Sequence, residues 1–317
     1  MTRNTLSSRN IATRVLAGIV ILVLLLVTVM AQPSHSGTWL RTFNEALHVP
    51  VFGVIAVCLL ILTPGHWSSR MRLLVAMLAT VVLAALSEVA QIPTARDASL
   101  QDLIADLLGA AGFLVAAIPL SSSFSVRKGH GRYLVLLGAL LVAWPLAPLA
   151  RVSAAYVERS QISPSLVRFD TRFAHVFFRL QNTDLRKIED ADSDSVYAEI
   201  SLKDAPWPGI VFHDLWPDWE SHRTLMVAIE NPESTALPIN IRVHDLEHRW
   251  SEQNYSDRFN KQMQLEPGVH TLEFAIADIR DAPADRTMDM AHIDGLVVFA
   301  TQQEAGRKFV LREIWLD

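Results

Sequence analysis

Five apolar stretches crowd into the first half of this 317-residue chain, and they limit its fold more than any other feature. They run from about Ile11 to Ala31, Ala46 to Leu62, Leu73 to Ile92, Leu103 to Leu120 and Tyr133 to Ala150. A helix of about 20 residues crosses the ~30 Å hydrocarbon layer, and helices or closed barrels alone pair every backbone group there. The pattern therefore predicts about five transmembrane helices. Pro145 and Pro148 kink the fifth, which membrane helices tolerate. Arg3, Arg9 and Arg14 before the first stretch give it the outline of a signal peptide. Its apolar run is long for one and further spans follow, so retention as an anchor is expected.

Orientation follows from the short loops. Arg70 and Arg72 follow the second stretch, and Arg127, Lys128 and Arg132 follow the fourth, on the same side as the N-terminal arginines. The opposite loops hold Arg41 and Arg96 beside acids. The positive-inside rule then predicts a multi-pass protein of the inner (cytoplasmic) membrane, with a cytoplasmic N-terminus and an extracytoplasmic C-terminal domain. Cys58 is the single cysteine, so an intramolecular disulfide is excluded. A net charge of −5 gives no reason to expect a nucleic-acid partner, which needs a clustered basic face.

Polar residues inside apolar helices need a cause, since each ionised group at mid-span costs about 2.5–3.5 kcal/mol. His48 begins the second span, Glu88 and Gln91 end the third, Arg96 and Asp97 lie between, and Asp102 and Asp106 begin the fourth. All gather at the outer side. Glu88 with Gln91, and Asp102 with Asp106, share helix faces by spacing, while Gly109 and Gly112 allow a neighbouring helix close. Ser99 to Asp102 also fits a helix cap, Arg96 and Asp97 fit solvated loop charges, and His48 fits an interfacial residue. Glu88 and Asp106 sit within the apolar layer and read as a buried pair or a functional site, with Arg96 a partner for either.

At these residues the chain resembles the VanZ-like family of membrane proteins, over roughly residues 15–120. Ser87-Glu88-Val89-Ala90-Gln91 matches the family's S-E-x-x-Q run, and Arg96 stands in its loop position. Asp102-Leu103-Ile104-Ala105-Asp106 keeps the first acid of D-x-x-x-N with Asp in place of Asn, and Gly109 and Gly112 complete the pattern. Asn44-Glu45-Ala46-Leu47-His48 retains only the His of the D-K-x-x-H motif. The resemblance implies a cell-envelope role and supplies no reaction.

Past residue 165 the composition turns charged and Trp-rich. Ile239, Ile241 and Val243 alternate with Asn240, Arg242 and His244; Leu272, Phe274 and Ile276 alternate with Glu273 and Ala275. That period of two predicts half-buried strands, joined by further strands at 295–300 and 308–316. Pro208-Gly209 and Pro267-Gly268 read as turns, and the acidic segment Gln181 to Asp194 as a loop. The fold class expected is an α-helical membrane domain (1–150), a linker (151–168) and an all-β jelly-roll sandwich (169–317). Trp207-Pro208-Gly209-Ile210 before Asp218-Trp219, His244-Asp245 leading to Tyr255 through Asn260, and Leu265-Glu266-Pro267-Gly268 leading to Asp278-Ile279 carry a second resemblance. In these passages the segment resembles galactose-binding-like jelly-roll carbohydrate-binding modules.

Trp207, Trp216, Trp219, Trp250 and Tyr255 offer flat rings on which sugars stack; Trp219 and Trp315 are expected in the core, leaving Trp250 and Tyr255 as glycan-binding candidates. Asp245, Asp257 and Asn260 offer oxygen ligands of the kind calcium takes, but their spacing matches no specific calcium loop, so surface roles and no metal are expected. No nucleotide loop, zinc signature or nucleophile motif occurs, and no cofactor is predicted. Two functions remain in view. One is an envelope protein, in contact with the membrane lipid bilayer, that presents a glycan- or partner-binding sandwich to a cell-envelope glycan. The other is a membrane enzyme in which Glu88 and Asp106 act on a lipid-linked or envelope glycan with Arg96 holding an anionic head group. A transporter lacks the internal repeat such folds show.

Overall fold

The computed structural model describes residues 2–30, 37–91, 100–121, 124, 129–190 and 195–317, by backbone alone at 2–10, 29–30 and 91. Two compact units result, one up to Val152 and one from Ser153 onward. The first holds α1 (Thr2–Met30), α2 (Thr38–Leu62), α3 (Ser69–Gln91), α4 (Leu100–Ala117) and most of α5 (Gly131–Gln161). All five are long and apolar enough to cross a membrane. Leu16, Leu22, Leu78, Leu86, Leu136 and Leu140 point outward and stay largely exposed. A surface so continuously apolar suits lipid rather than water.

Helix α2 packs against α1, α3 and α4. Its closest neighbour is α4, because Gly109 lies against the Val49 carbonyl, where any Cβ would collide. Gly112 does the same toward α5, where a Cβ would stand 2.7 Å from Val142 and 2.8 Å from the Gly138 carbonyl oxygen. Small residues at crossings are how helices gain van der Waals contact when lipid removes the hydrophobic drive between them. Around the crossings pack Phe52, Ile55 and Ala84 on one side, and Ala56, Leu60, Ala76, Ala110 and Leu114 on the other.

The second unit is an antiparallel β-sandwich. Its strands are β1 (Ser165–Arg168), β2 (Phe178–Gln181), β3 (Thr183–Glu189), β4 (Val196–Leu202), β5 (Gly209–His213) and β6 (Thr224–Asn231). They continue as β7 (Leu237–Asp245), β8 (Phe259–Leu265), β9 (Gly268–Ala275), β10 (Ile293–Phe299) and β11 (Lys308–Leu316). Short helices α6 (Leu246–Trp250) and α7 (Ile276–Arg280) follow β7 and β9. One sheet runs β3-β4-β11-β6-β9, with β1 also on β11; the other runs β2-β5-β10-β7-β8. The orders 4-11-6-9 and 5-10-7-8 are those of a double-sheet jelly roll of eight strands. Inward residues of both sheets interlock as one core, with Ile239, Ile241 and Val243 facing Leu225, Val227 and Ile229 among many others.

Several expectations need correction. α2 starts at Thr38, not Ala46, which places His48 well inside a helix rather than at its mouth. Residues 151–161, expected as linker, continue α5, whose Ala155 and Tyr156 belong to the sandwich core, and 165–168 form β1. The acidic loop from Gln181 contains β3. Its side chains alternate little in burial because it is an edge strand, where charge protects an open edge. Gly209 opens β5 instead of closing a turn, while the positive φ falls on Trp207 at 52°. Gly268, at φ 104°, does take the backbone shape glycine favours. Trp219 is fully buried, but Trp315 is not: a bulge between Leu311 and Glu313 makes Ile314 and Leu316 the inward residues and turns Trp315 out.

Candidate functional site

Two polar clusters stand out, one in each unit. In the helical unit His48 of α2 meets Asp106 of α4, with His48 Nδ1 3.0 Å from Asp106 Oδ1. Glu88 of α3 completes the group: one ligand-type atom from each of His48, Glu88 and Asp106 lies within 4.8 Å of the others. All three are buried. The pair forms because Gly109, one turn beyond Asp106, brings α4 against α2 at the level of Val49, the residue after His48. Asp106 Oδ2 is buried with no hydrogen-bond partner among the described residues. An imidazole and two carboxylates at such distances can pass a proton among themselves or close on a divalent cation.

The sequence placed His48 at the interface, whereas the structure pairs it with Asp106; the expected pairing of Arg96 with Glu88 or Asp106 falls outside the described residues. Arg96 and Asp97 lie outside the described residues, and Gln91 is described by backbone alone. Asp102 is half-buried and borders a cleft of about 170 Å³, together with Thr42 and Glu45 of α2 and Trp144 and Pro148 of α5.

In the sandwich, Asp245 and Asp257 are drawn together by an arginine the sequence did not single out. Arg286 Nη1 and Nη2 reach Asp245 at 2.5 and 2.8 Å, and its Nε reaches Asp257 at 2.6 Å. Asp245 also accepts from the backbone N–H of His248 and of Asp289, at 3.0 and 2.8 Å. Asp257 also meets His248 Nδ1 and Ser251 Oγ, each at 3.2 Å. Burial works to raise the Asp245 carboxyl, but Arg286 and the two N–H groups outweigh it and hold it below the ordinary range. Every oxygen of both carboxylates is thus taken, which leaves none for calcium, and Asp245 is fully buried rather than a surface residue.

The outer face of the β2-β5-β10-β7-β8 sheet is different. Register places Arg179, Val211, Val297, Arg242 and Asn260 in one row across its five strands. His213, Gly295 and His244 lie in the next. Arg258, in extended backbone just before β8, follows the same alternation beside His244. Gly295 makes room for the His244 ring, since a Cβ there would stand 2.5 Å from its Cε1. Val211 and Val297 point away from the core yet are buried, and the long side chains of Arg179 and Arg242 flank them in the row.

This face is short of partners. Arg242 Nε, Arg258 Nε, His244 Nδ1 and Asn260 Oδ1 are all buried without a hydrogen bond. Among the described residues no carboxylate pairs with Arg179, Arg242 or Arg258; the nearest acid to His244 is Asp294, 3.6 Å from Nε2 and already bound by Arg249 at 2.7 Å. Burial, then Arg258 and Arg179, push the Arg242 guanidinium down to about 10. Burial likewise lowers His244, against the pull of Asp294. Tyr255, 72% exposed, flanks this face: its carbonyl accepts from Asn260 Nδ2 at 3.1 Å and its ring lies 5.3 Å from the Arg258 guanidinium. Trp250, 43% exposed, lies beside Arg249. The polar half of the β7 alternation was visible in the sequence as Asn240, Arg242 and His244. What gathers Arg179, Arg258 and Asn260 around it is strand register, which no local pattern reports.

No family model and no curated protein matches the chain. Among solved structures, a family 11 carbohydrate-binding module from Clostridium thermocellum in complex with a β-1,3-1,4-mixed-linked tetrasaccharide is 14% identical, with TM-score 0.36, over 48% of this chain and 93% of that one. An exo-β-agarase is 10% identical, with TM-score 0.38, over 48% and 24%. At that distance neither ligand transfers to this chain.

Proposed function

We propose that this chain is a VanZ-like membrane protein of the bacterial cell envelope, whose helices hold a glycan-binding sandwich on the extracytoplasmic side. The observation that carries the reading is the outer face of the β2-β5-β10-β7-β8 sheet. Buried donors and acceptors without partners are rare in folded proteins, and four of them meet on one row and its neighbour. A saccharide supplies hydroxyl groups of both kinds at that spacing, and Tyr255 at the margin offers it a ring. The extracytoplasmic placement rests on the arginine-rich loops of the other side. The test is binding of the full-length protein, in detergent, to an array of envelope glycans. Saturable binding lost in His244→Ala, in protein whose melting profile is unchanged, is the expected result. Binding that survives in both His244→Ala and Asn260→Ala would remove this face from the reading.

A second reading has one observation in its favour, the buried His48–Glu88–Asp106 group. In it Glu88 and Asp106, with Arg96, perform acid–base chemistry on a lipid-linked glycan at the outer leaflet, and His48 orients Asp106. Glu88→Gln separates the two roles: inserted, folded protein that no longer supports processing of a lipid-linked glycan favours chemistry, and loss of the folded protein favours structure.

A further inference from the structure

The sandwich face has a sign as well as a shape. Three guanidinium groups, Arg179 on β2, Arg242 on β7 and Arg258 before β8, converge on it, together with His244. Several arginines elsewhere in this unit behave otherwise. Arg286 is held by Asp245 and Asp257, Arg307 by Glu233 and Glu304, Arg312 by Glu230, and Arg186 by Glu199. Among the described residues Arg159, Arg172 and Arg223 also lack a carboxylate, but Arg159 is held by the carbonyls of Asp214 and Leu215, and Arg179, Arg242 and Arg258 are the group that shares one sheet face. Repulsion among them is felt, since Arg258 and Arg179 both act against Arg242. A half-buried cation flanked by cations is costly for the fold, and natural sequences keep such arrangements where a ligand provides the missing charge.

Planar forks suit a particular ligand. Guanidinium binds carboxylate and phosphate through two parallel N–H···O bonds, whereas a neutral sugar offers only hydroxyl oxygens. The Nε atoms of Arg242 and Arg258 are buried, so the end-on approach through the two Nη atoms is the one open to a ligand. Asn260 and His244, beside them in the sheet register, add polar side chains suited to the hydroxyl groups of the same sugar ring. From this charge complementarity we infer that the face recognises an acidic glycan, one whose sugars carry carboxylate or phosphate, with Arg242 as the central anchor and Arg179 and Arg258 at its sides.

This inference rests on the glycan-binding reading, and the experiment separates them. Full-length protein in phosphatidylcholine nanodiscs is titrated with polygalacturonate, with the same polymer fully methyl-esterified, with phosphorylated dextran and with plain dextran. Duplex DNA of equal charge serves as a bare polyanion. The expected result is that the acidic polymers bind at least tenfold tighter than their neutral forms and tighter than DNA; which of the two binds better identifies carboxylate or phosphate. Arg242→Met and Arg179→Gln should each weaken acidic binding at least fivefold. Arg242→Lys, which keeps the charge and loses the fork, should recover part of it, and Arg280→Gln, on a distant exposed side chain, should change nothing. Equal binding of acidic and neutral polymers, DNA as tight as either, or acidic binding indifferent to Arg242→Met and Arg179→Gln would overturn the inference and leave glycan binding standing. No binding of any polymer by folded protein would overturn both.

Discussion

The two units bury polar groups of opposite sign and manage them differently. Between the helices two carboxylates, Glu88 and Asp106, gather around one imidazole, and among the described residues Asp106 Oδ2 has no hydrogen bond. On the sandwich face three guanidinium groups share no carboxylate among the described residues. Beneath the same sandwich, Arg286 and its two aspartates are fully matched. The contrast teaches where to look for function: saturated charge is architecture, and like charges gathered on one face without counter-charge mark a place where a ligand can supply it.

The largest effects should come from breaking matched pairs. Arg286→Met leaves Asp245 buried and unpaired, which should destabilise the sandwich by about 3–5 kcal/mol. Asp106→Leu should do the same to the helical unit by removing the partner of His48, again by about 3–5 kcal/mol. Thermal melts of the detergent-solubilised protein report both. Adding His48→Leu to Asp106→Leu should restore part of the loss, because an apolar pair replaces an orphaned imidazole. A single Asp106→Leu as stable as the parent would show that the pair does not join α2 to α4. Next in size is Gly109→Leu, where the new side chain must force α4 away from Val49; overpacking of this kind costs about 1–3 kcal/mol. Size-exclusion profiles of the solubilised variant should show loss of monodisperse protein.

Arg242→Met should move in the other direction. The methionine keeps a long side chain beside Val297 while removing a half-buried cation that lacks a carboxylate partner among the described residues. The sandwich should gain on the order of 1–2 kcal/mol as it loses affinity for its ligand. A stabilised variant that no longer binds is the signature of a site maintained against stability. If Arg242→Met destabilises as Arg286→Met does, the open face is architecture after all, and the contrast between the two arginines collapses.

Much of this was legible in the sequence, for physical reasons that also explain what was not. Bilayer thickness writes itself into residue counts, so five helices could be read directly, and period-two alternation marked β7 and β9. Glu88 and Asp106 drew attention because apolar surroundings make charges conspicuous. His48 was misplaced because three residues of its own motif are polar or small, which hid the helical turns before it. Asp245 and Asp257 looked like calcium ligands because their partner, Arg286, lies far along the chain. The cationic face was missed for the same reason: Arg179, Arg242 and Arg258 are separated by whole strands, and a net charge of −5 averages such a patch away.

The smallest effect concerns pH and tests whether the sandwich face is as buried as its geometry says. His244 and His248 both titrate below the ordinary imidazole value, chiefly through burial, with Asp294 and Asp257 opposing in part. Each is therefore neutral in the fold at a pH where the unfolded chain, titrating at roughly 6.5, has begun to take up a proton. The unfolded state binds more protons across that window, so stability rises with pH through it. The contribution is complete above about pH 6.5 and is lost as pH falls through that value toward the lowered native one. Between pH 7 and 5 the sandwich transition should fall, each 1 kcal/mol lost lowering it by about 2–4 °C in a domain of this size. His244→Gln, which cannot charge, should flatten part of that slope. Bound acidic glycan should steepen the binding in the opposite sense, since a protonated His244 adds a cation to a face that already holds three. A transition that stays level from pH 7 to 5 in the parent protein would mean that water reaches these rings, and with it the argument from buried, unpartnered atoms on this face would fail.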